Sequence, residues 1–360
     1  MRLVYFISSF SLSGGTLVLM RHVRALNEMG HEAVLAFLKQ DDSYEIDVPT
    51  QKLESVSAVR DLQPDVVVAC HYPDLPRLRP HVPLLVFLVQ SRHVEEMGYY
   101  YEAERSRAKY AWPLGRLVLG MRQSRDMAAL KKAYSLPDVF WSVSWNIEAS
   151  LKSMGHASRM VRNVLNLPPR QGESAPPIPP CRIVMVGSHA VPFKNIRLGL
   201  EALKLLRQRT PVFITHVSTG EPLPADLAAY VDESLHCLPH DALIRLCRTS
   251  HILFSPSLME GFGLPAVEGM ACGMLCVLSD IPEYHMFHRG AGGKQGLYAL
   301  YGNPRDAEDM ARVLEMACRE YASPVMDSIR QNGVEVAAWY AEDGFKADLA
   351  AALEELPASK

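Results

Sequence analysis

Short apolar runs of strand length alternate along this chain with stretches whose apolar residues recur at the helical period. Residues 3–7 are the first such run, followed by a Ser/Gly-rich loop at 8–15. Leu19, Val23 and Leu26 then repeat at i, i+4 and i+7, which predicts a helix with one buried face. Gly30 stands where a helix C′ residue would, and 33–38 reads as a second strand. Strand, loop, helix and strand in that order form a crossover unit, and such units build parallel sheets. Residues 66–69, 84–89 and 140–143 continue the series as strands buried on both faces, with a further helix near 147–154.

The pattern stops at 167–180, LPPRQGESAPPIPP, which holds six prolines and few apolar side chains. Proline stiffens such a stretch, so it predicts a semi-rigid spacer. The alternation then restarts: strand 182–186, loop 187–194, a helix with Ile196, Leu200, Leu203 and Leu206 on one face, and strands at 211–217, 251–255 and 275–279. The expected organisation is an α/β domain over 1–166, the linker 167–180, a second α/β domain over 181–337 and a terminal segment 338–360, helical over 345–356.

Composition narrows the classes. A chain of 360 residues exceeds what one core usually serves, in keeping with two domains. Its 48% hydrophobic and 21% charged content is that of an ordinary globular protein. A net charge of −3 argues against a protein built to neutralise nucleic-acid phosphates. Seven scattered cysteines with no CxxC form neither a disulfide framework nor a zinc site, and they predict a reducing, cytoplasmic setting. No stretch approaches the ~20 apolar residues of a spanning helix. Ser8, Ser9 and Ser11 interrupt the opening apolar run too early for a signal peptide, so a buried first strand is expected there.

Charge is uneven. Residues 1–166 carry 20 Lys/Arg against 17 Asp/Glu, leaving 17 against 23 for the remainder. Within the first half, 99–134 gathers eight basic side chains against three acidic ones, interleaved with Tyr99, Tyr100, Tyr101, Tyr110 and Trp112. A solvated helical face is one reading; a surface for an anionic acceptor or for the inner leaflet of a membrane is the other. Pro113 and Gly115 are expected to break the stretch.

The segment richest in chemistry is 255–271, SPSLMEGFGLPAVEGMA. A strand ends near Ser255, a Gly-rich turn follows, and a helix is expected to start with Pro265 at its first position. The amides of Gly261, Phe262, Gly263 and Leu264 then lie at a positive helix N-terminus, suited to a diphosphate. Glu260 sits in the loop before it, and Glu268 is placed in the first turn of the helix. Residues 261–266 also fit the Gly-x-Gly-x-x-Ala dinucleotide fingerprint, with Asp280 about 20 residues on. Two features oppose an NAD or FAD site. Glu260 would repel a pyrophosphate unless neutralised, and the fingerprint belongs in a first βαβ unit rather than past residue 250.

The spacing Glu260 to Glu268 resembles the Glu-x7-Glu motif of retaining glycosyltransferases of the GT-B fold, glycosyltransferase family 4. Other segments are similar to that family as well: Gly14-Gly15 before the first helix, Gly30-His31-Glu32 after it, Ser144 with Arg162-Asn163, the 186–195 stretch, and Ser279-Asp280 with Pro282-Glu283. The family's usual Gly after Asn163 is Val164 here.

The resemblance implies two Rossmann-like α/β/α domains with parallel sheets facing across a cleft, the second holding a nucleotide-sugar and the first an acceptor. It implies that Glu268 holds the ribose hydroxyls, Glu260 the donor sugar, and the amides of Gly263 and Leu264 the phosphates. Lys194 would stabilise the leaving diphosphate, and Gly14 and Gly15 would let backbone approach the same group. Retention without a protein nucleophile follows the family's same-face mechanism, in which the diphosphate takes the acceptor proton. The last helix is expected to cross back to the first domain.

No Asp-x-Asp occurs, and the acidic run 41–47 has no evident ligand geometry, so no metal is expected to be required. The donor is a UDP-sugar by default, and the acceptor a glycan, lipid-linked or small-molecule hydroxyl. The family's usual Arg is replaced by Ser188, followed by His189. Losing such a cation costs about 2–4 kcal/mol of leaving-group stabilisation, which His189 or Arg92 could restore. Of two histidines at strand ends, His71 and His93, the latter is the better candidate for orienting a hydroxyl, since Gln90, Ser91 and Arg92 adjoin it. A silent nucleotide-sugar binder and a non-transferring enzyme such as an epimerase are the alternatives. Cys272 and Cys276, about one helical turn apart, read as packing.

Overall fold

The computed structural model describes residues 1–10, 13–40, 46–218, 220–289 and 296–357, and the chain divides into two compact units. Most of the acidic run at 41–47 lies outside the described residues.

The first unit comprises Met1–Val164 and Asp343–Lys360. Its strands are β1 (Arg2–Phe10), β2 (Glu32–Gln40), β3 (Thr50–Lys52), β4 (Val66–Ala69), β5 (Leu85–Val89), β6 (Val139–Ser142) and β7 (Arg159–Met160). They form one sheet in the order β3-β2-β1-β4-β5-β6-β7, and every pairing is parallel. All residues of β4 and β5 are buried, as strands covered on both faces must be. The edge strand β3 is exposed throughout, and β7 has only two residues, so neither leaves an apolar signature in the sequence.

Helix Gly14–Glu28 makes the crossover from β1 to β2. Ser13 caps it reciprocally with Thr16, each side-chain oxygen accepting the other's amide at 3.2 and 3.0 Å. Gly30, at φ +85°, closes it. Helix Glu342–Glu354 packs against the same unit. Phe345 meets His22 edge-on at 4.9 Å, and Asp348 takes Arg162 in a paired contact of 2.5 and 2.9 Å.

The 99–134 stretch is two helices, His93–Arg105 and Pro113–Tyr134. Pro113 does start a new helix, but Gly115 breaks nothing. It sits inside the helix with Lys109 O only 2.8 Å from where a Cβ would stand, so it lets the preceding turn close down.

The second unit comprises Leu165–Glu342. Its strands are β8 (Cys181–Val186), β9 (Val212–Ser218), β10 (Glu233–His236), β11 (Ile252–Ser255), β12 (Leu275–Ser279) and β13 (Leu300–Gly302), all parallel, in the order β10-β9-β8-β11-β12-β13. This is the doubly wound order, whose topological switch point falls between β8 and β11. Helix Ile196–Arg207 buries Ile196, Leu200, Leu203 and Leu206 on the sheet, together with Ile183, Ile214 and Phe254.

The proline-rich stretch is not a spacer standing clear of the domains. It lies on the second unit, where Arg248 donates to the carbonyls of Pro168 (2.5 Å) and Pro169 (3.1 Å) and Arg170 to that of Cys272 (3.1 Å). His251 fixes it further. Its Nδ1 accepts from the Arg182 amide at 2.9 Å, which leaves Nε2 as the donor to Pro176 O at 2.8 Å. Polar side chains of the unit thus satisfy backbone that proline cannot pair in a ladder.

Candidate functional site

Two loops leave the carboxyl ends of the adjacent strands β8 and β11, which is where ligands bind in sheets of this order. The first runs from Gly187 to Asn195 and opens helix Ile196–Arg207. The second runs from Pro256 to Gly263 and opens helix Leu264–Ala271. They are stitched together. Leu258 N donates to Phe193 O at 2.7 Å, and Asn195, left-handed at φ 56°, donates its amide to Pro256 O at 3.0 Å and Pro304 O at 2.8 Å.

This stitching brings Lys194 to Glu260. The ammonium lies 2.7 Å from Oε1 and 2.8 Å from Oε2 of a carboxylate that is only 5% exposed. Oε1 also accepts from Ser257 Oγ at 2.8 Å and from the Tyr284 hydroxyl at 3.3 Å. Burial first, and then the neighbouring carboxylate, push the Tyr284 phenol well above its ordinary pKa, so it remains a donor. A buried carboxylate needs such partners. The pair also removes one objection to a dinucleotide at this turn, since Glu260 is neutralised. The strand order keeps the other: the Gly-rich turn follows β11, not the unit's first strand β8.

Gly263, at φ +94°, is the N-cap of the helix, and a Cβ there would stand 2.9 Å from Tyr284 Cε1. The helix therefore begins at Leu264, which puts Pro265 second rather than first. The N-terminal amides of Gly263 and Leu264 have no intrahelical acceptor. Phe262 is not a surface residue of the turn. Buried edge-on against Tyr340 (5.0 Å) and Phe287 (5.5 Å), it anchors the turn from below. Gly261 precedes it in the same bend.

Glu268 is the helix's fifth residue, past the first turn, and is 4% exposed. His240, first residue of helix His240–Arg248, places Nε2 2.8 Å from its Oε1. Ser188 is buried, and its hydroxyl accepts from the Ala190 amide at 3.3 Å, so it shapes the first loop. The carbonyl before it, Gly187 O, lies 2.9 Å from Nε2 of buried His216, whose pKa burial lowers to about 4. His189 Nδ1 is buried with no hydrogen-bond partner among the described residues. Arg92, offered from sequence as a substitute cation, is paired with Glu95 at 2.5 Å.

In the first unit, a cavity of about 370 Å³ lies at the carboxyl end of the sheet, lined among others by Ser13, Gly15, His71, Gln90 and His93. Gly14 is the first helical residue beside it, and a Cβ on Gly15 would stand 3.1 Å from Gln90 Oε1. His93 opens its helix, stacks on Phe87 at 5.9 Å and meets the Tyr134 hydroxyl through Nδ1 at 2.7 Å. Burial, and to a lesser degree His71, lower its pKa to about 4, so the ring is neutral at physiological pH.

Tyr72, His93 and Glu96 also line a second cavity of about 380 Å³, completed by residues such as Tyr100, Tyr101, Glu104, Arg122 and Asp126. The basic stretch therefore turns acids and tyrosines inward. Several of its cations are spent locally, on Glu104 by Arg107 and on Asp126 by Arg122 and Arg125.

Sequence reasoning placed Lys194, Glu260 and Glu268 in one unit's site but missed Ser257, Tyr284, His240 and His216. Tyr284 directly follows the Pro282-Glu283 pair that the family resemblance singled out; the others carry no local pattern. Cys272 and Cys276 share no helical turn, since Cys272 is the C-cap of one element and Cys276 lies on β12; both are buried.

Residues 180–319 match the model of a family described as glycosyl transferases group 1. Among curated proteins, the chain is 31% identical over 175 residues to an MMP alpha-(1->4)-mannosyltransferase of Mycolicibacterium hassiacum, covering 44% of this chain and 40% of that protein. It is 27% identical over 257 residues to a GDP-mannose:cellobiosyl-diphosphopolyprenol alpha-mannosyltransferase of Komagataeibacter xylinus, covering 68% and 59%. The matches thus span less than two thirds of either relative. Among solved structures, HepE of Anabaena in complex with UDP and glucose superposes at a TM-score of 0.73 with 13% identity, over 99% of this chain and 100% of that one. The fold is GT-B.

Proposed function

We propose that this protein is a retaining glycosyltransferase that moves a hexosyl group from a nucleoside-diphosphate sugar to an acceptor hydroxyl. The observation that carries the reading is the Lys194–Glu260 pair beside a helix N-terminus at the sheet's switch point, with Glu268 on that same helix. Breaking the sugar–phosphate bond builds negative charge on a diphosphate. An ammonium and helix-terminal amides, already oriented, stabilise that charge without reorganising. Lysine has three N–H donors. Two face Glu260, and the third is left for a phosphoryl oxygen. Glu260 Oε2 accepts from a donor-sugar hydroxyl, and Glu268, steadied by His240, accepts from the ribose diol.

Glu260 is held by Lys194, Ser257 and Tyr284, which suits a positioning carboxylate better than a nucleophile. Attack therefore comes from the leaving-group face, and the departing diphosphate takes the acceptor proton. His93, neutral in its cavity, orients the acceptor hydroxyl. Since Lys194 and the helix carry the charge, the reaction needs no metal. Both curated relatives described above are mannosyltransferases, which favours a mannosyl donor and guanosine over the uridine default. The tyrosine- and carboxylate-lined cavity suits a neutral glycan, whose sugar faces stack on aromatic rings, better than a phosphorylated one. Seven free cysteines fit a cytoplasmic setting.

The test is turnover of a panel of GDP- and UDP-hexoses with neutral oligosaccharides, in EDTA and in magnesium. Release of one nucleoside diphosphate matched by a new α-linked product, unchanged by EDTA, supports the reading. Binding without release would make the protein a silent binder; turnover only with magnesium would refute the metal-free mechanism.

A further inference from the structure

Two thiols of the second unit lie behind the Glu268–His240 contact. Cys272 is the C-cap of helix Leu264–Ala271, and its amide donates to the Glu268 carbonyl at 3.0 Å, which puts it one turn behind that carboxylate. Cys247 lies about two turns along helix His240–Arg248 from His240. The helices that meet through Glu268 and His240 therefore meet again through Cys272 and Cys247, where the Cys247 thiol donates a hydrogen bond to the Cys272 sulfur. A third thiol nearby, Cys276 on β12, is engaged elsewhere, donating to Ala266 O at 3.6 Å.

The two thiols are not equivalent. Arg170 donates to the Cys272 carbonyl at 3.1 Å, and Arg248, directly after Cys247, is buried with its donors on the Pro168 and Pro169 carbonyls. The hydrogen bond from Cys247, and then the charges of Arg248 and Arg170, hold the Cys272 thiol below its ordinary pKa against burial and Glu268. The same hydrogen bond and burial push Cys247 the other way. A thiolate-prone sulfur beside cations, touching a second thiol that can resolve it, is the arrangement of a redox-sensitive pair. The unit holds its own comparison. Cys181 and Cys318 are also hydrogen-bonded, but that bond, burial and nearby Glu315 all push Cys318 up, and the pair lies deeper, 0 and 4% exposed against 7% for Cys272.

We propose that Cys247 and Cys272 are a peroxide-sensitive pair that closes reversibly to a disulfide and weakens nucleotide binding at Glu268. The Cys272 thiolate attacks one oxygen of hydrogen peroxide, the O–O bond breaks, and the departing hydroxide takes up the proton that the thiol released, leaving Cys272 a sulfenic acid. The Cys247 sulfur then attacks Cys272 Sγ, the S–O bond breaks, and the leaving hydroxide takes the Cys247 proton as water. Two thiols lose two electrons, and one peroxide becomes two waters. Closure draws the sulfurs from hydrogen-bonding distance to roughly 2 Å. That shifts one helix against the other and disturbs the 2.8 Å contact between His240 and Glu268. Such a bond is transient in a reducing compartment, as a sensor requires. The cross-link is independent of the transfer reaction; its effect on the nucleotide rests on the function proposed above.

The experiment treats the full chain with hydrogen peroxide, blocks remaining thiols with N-ethylmaleimide, and maps unreduced peptides by mass spectrometry. The expected result is a cross-linked peptide pair carrying Cys247 and Cys272, reversed by dithiothreitol, with Cys181 and Cys318 recovered as blocked thiols. In Cys247→Ala, dimedone should trap Cys272 as the sulfenic acid. Calorimetric titration with GDP and UDP should show binding weaker by at least about threefold in the oxidised protein, the loss of one hydrogen bond's worth, and no such change on peroxide treatment of Cys272→Ala. Three results would overturn the proposal: Cys272 recovered as a thiol, Cys272 oxidised without joining Cys247, or Cys181–Cys318 closing as readily. Equal affinity in the two forms would overturn the coupling to Glu268. A reduced protein that binds neither nucleotide would overturn the reading of the donor site and that coupling with it, while the peptide map still decides the cross-link.

Discussion

Lys194 Nζ and the Glu260 carboxylate form a two-pronged contact, 2.7 and 2.8 Å, across two loops that are 66 residues apart in sequence. On the proposed reading, the ammonium positions the carboxylate for the sugar, and the carboxylate keeps the ammonium aimed at the phosphates.

Lys194→Met should lower turnover by roughly 10²–10³-fold, the usual effect of removing one preorganised donor to a developing anion. It should also destabilise the fold, because Glu260 is buried and would lose a charged partner. Glu260→Gln keeps the packing and removes that buried charge, so it should cut turnover while leaving the melting temperature within a few degrees. Steady-state kinetics and thermal melts of both variants check this; full activity in Lys194→Met would contradict the assigned role.

His240 meets Glu268 at 2.8 Å and, on the proposed reading, acts on the donor through that carboxylate as a positioning residue. Truncation to Ala should raise the donor KM several-fold and leave kcat nearly unchanged. His240→Gln, which keeps a donor near the carboxylate, should recover much of the loss. A purely structural role would instead show as a lower melting temperature with both parameters intact.

Gly263→Ala places a methyl 2.9 Å from buried Tyr284 at a backbone φ of +94°. The left-handed backbone alone costs about 1–2 kcal/mol for an ordinary residue, and the clash adds to it. Displacing Tyr284 also disturbs its hydrogen bond to Glu260. Denaturant unfolding should show the stability loss, with a fall in nucleotide affinity alongside.

Buried His22 and His216 and half-buried His93 are neutral in the folded chain, with pKa lowered by desolvation to about 3 for His22 and about 4 for His93 and His216. Unfolding lets each return to about 6.5, so the unfolded state binds more protons between pH 6.5 and 4. Their full contribution is therefore present above pH 6.5 and is lost as pH falls through that window. Each pKa unit is worth about 1.4 kcal/mol. Melting temperature should drop steadily from pH 6.5 to 4, and less steeply in His93→Gln; a flat profile would show that these rings are solvated.

The central strands were legible because burial on both faces writes a continuous apolar run, and β4 and β12 fall where 66–69 and 275–279 predict them. The edge strands β3, β7, β10 and β13 were not, being two to four residues long and, in β3 and β10, mostly exposed. The same divide runs through the site. Glu260 and Glu268 could be read from their spacing, and Lys194 from its place before a helix. Tyr284 and His240 reach those carboxylates through long-range packing, 24 and 28 residues away, which no local pattern encodes. The basic count of 99–134 does not tell which side chains line the cavity there, because a helix sorts its charges by face and sequence counting does not.

The most direct test of the proposed nucleotide-sugar site is calorimetric titration of the full chain with GDP, UDP, ADP and NAD, repeated with Lys194→Ala. The account predicts that one nucleoside diphosphate binds, GDP first in expectation, and that the substitution weakens it at least tenfold, about 1.4 kcal/mol. Binding of NAD alone, or diphosphate binding indifferent to Lys194, would contradict it.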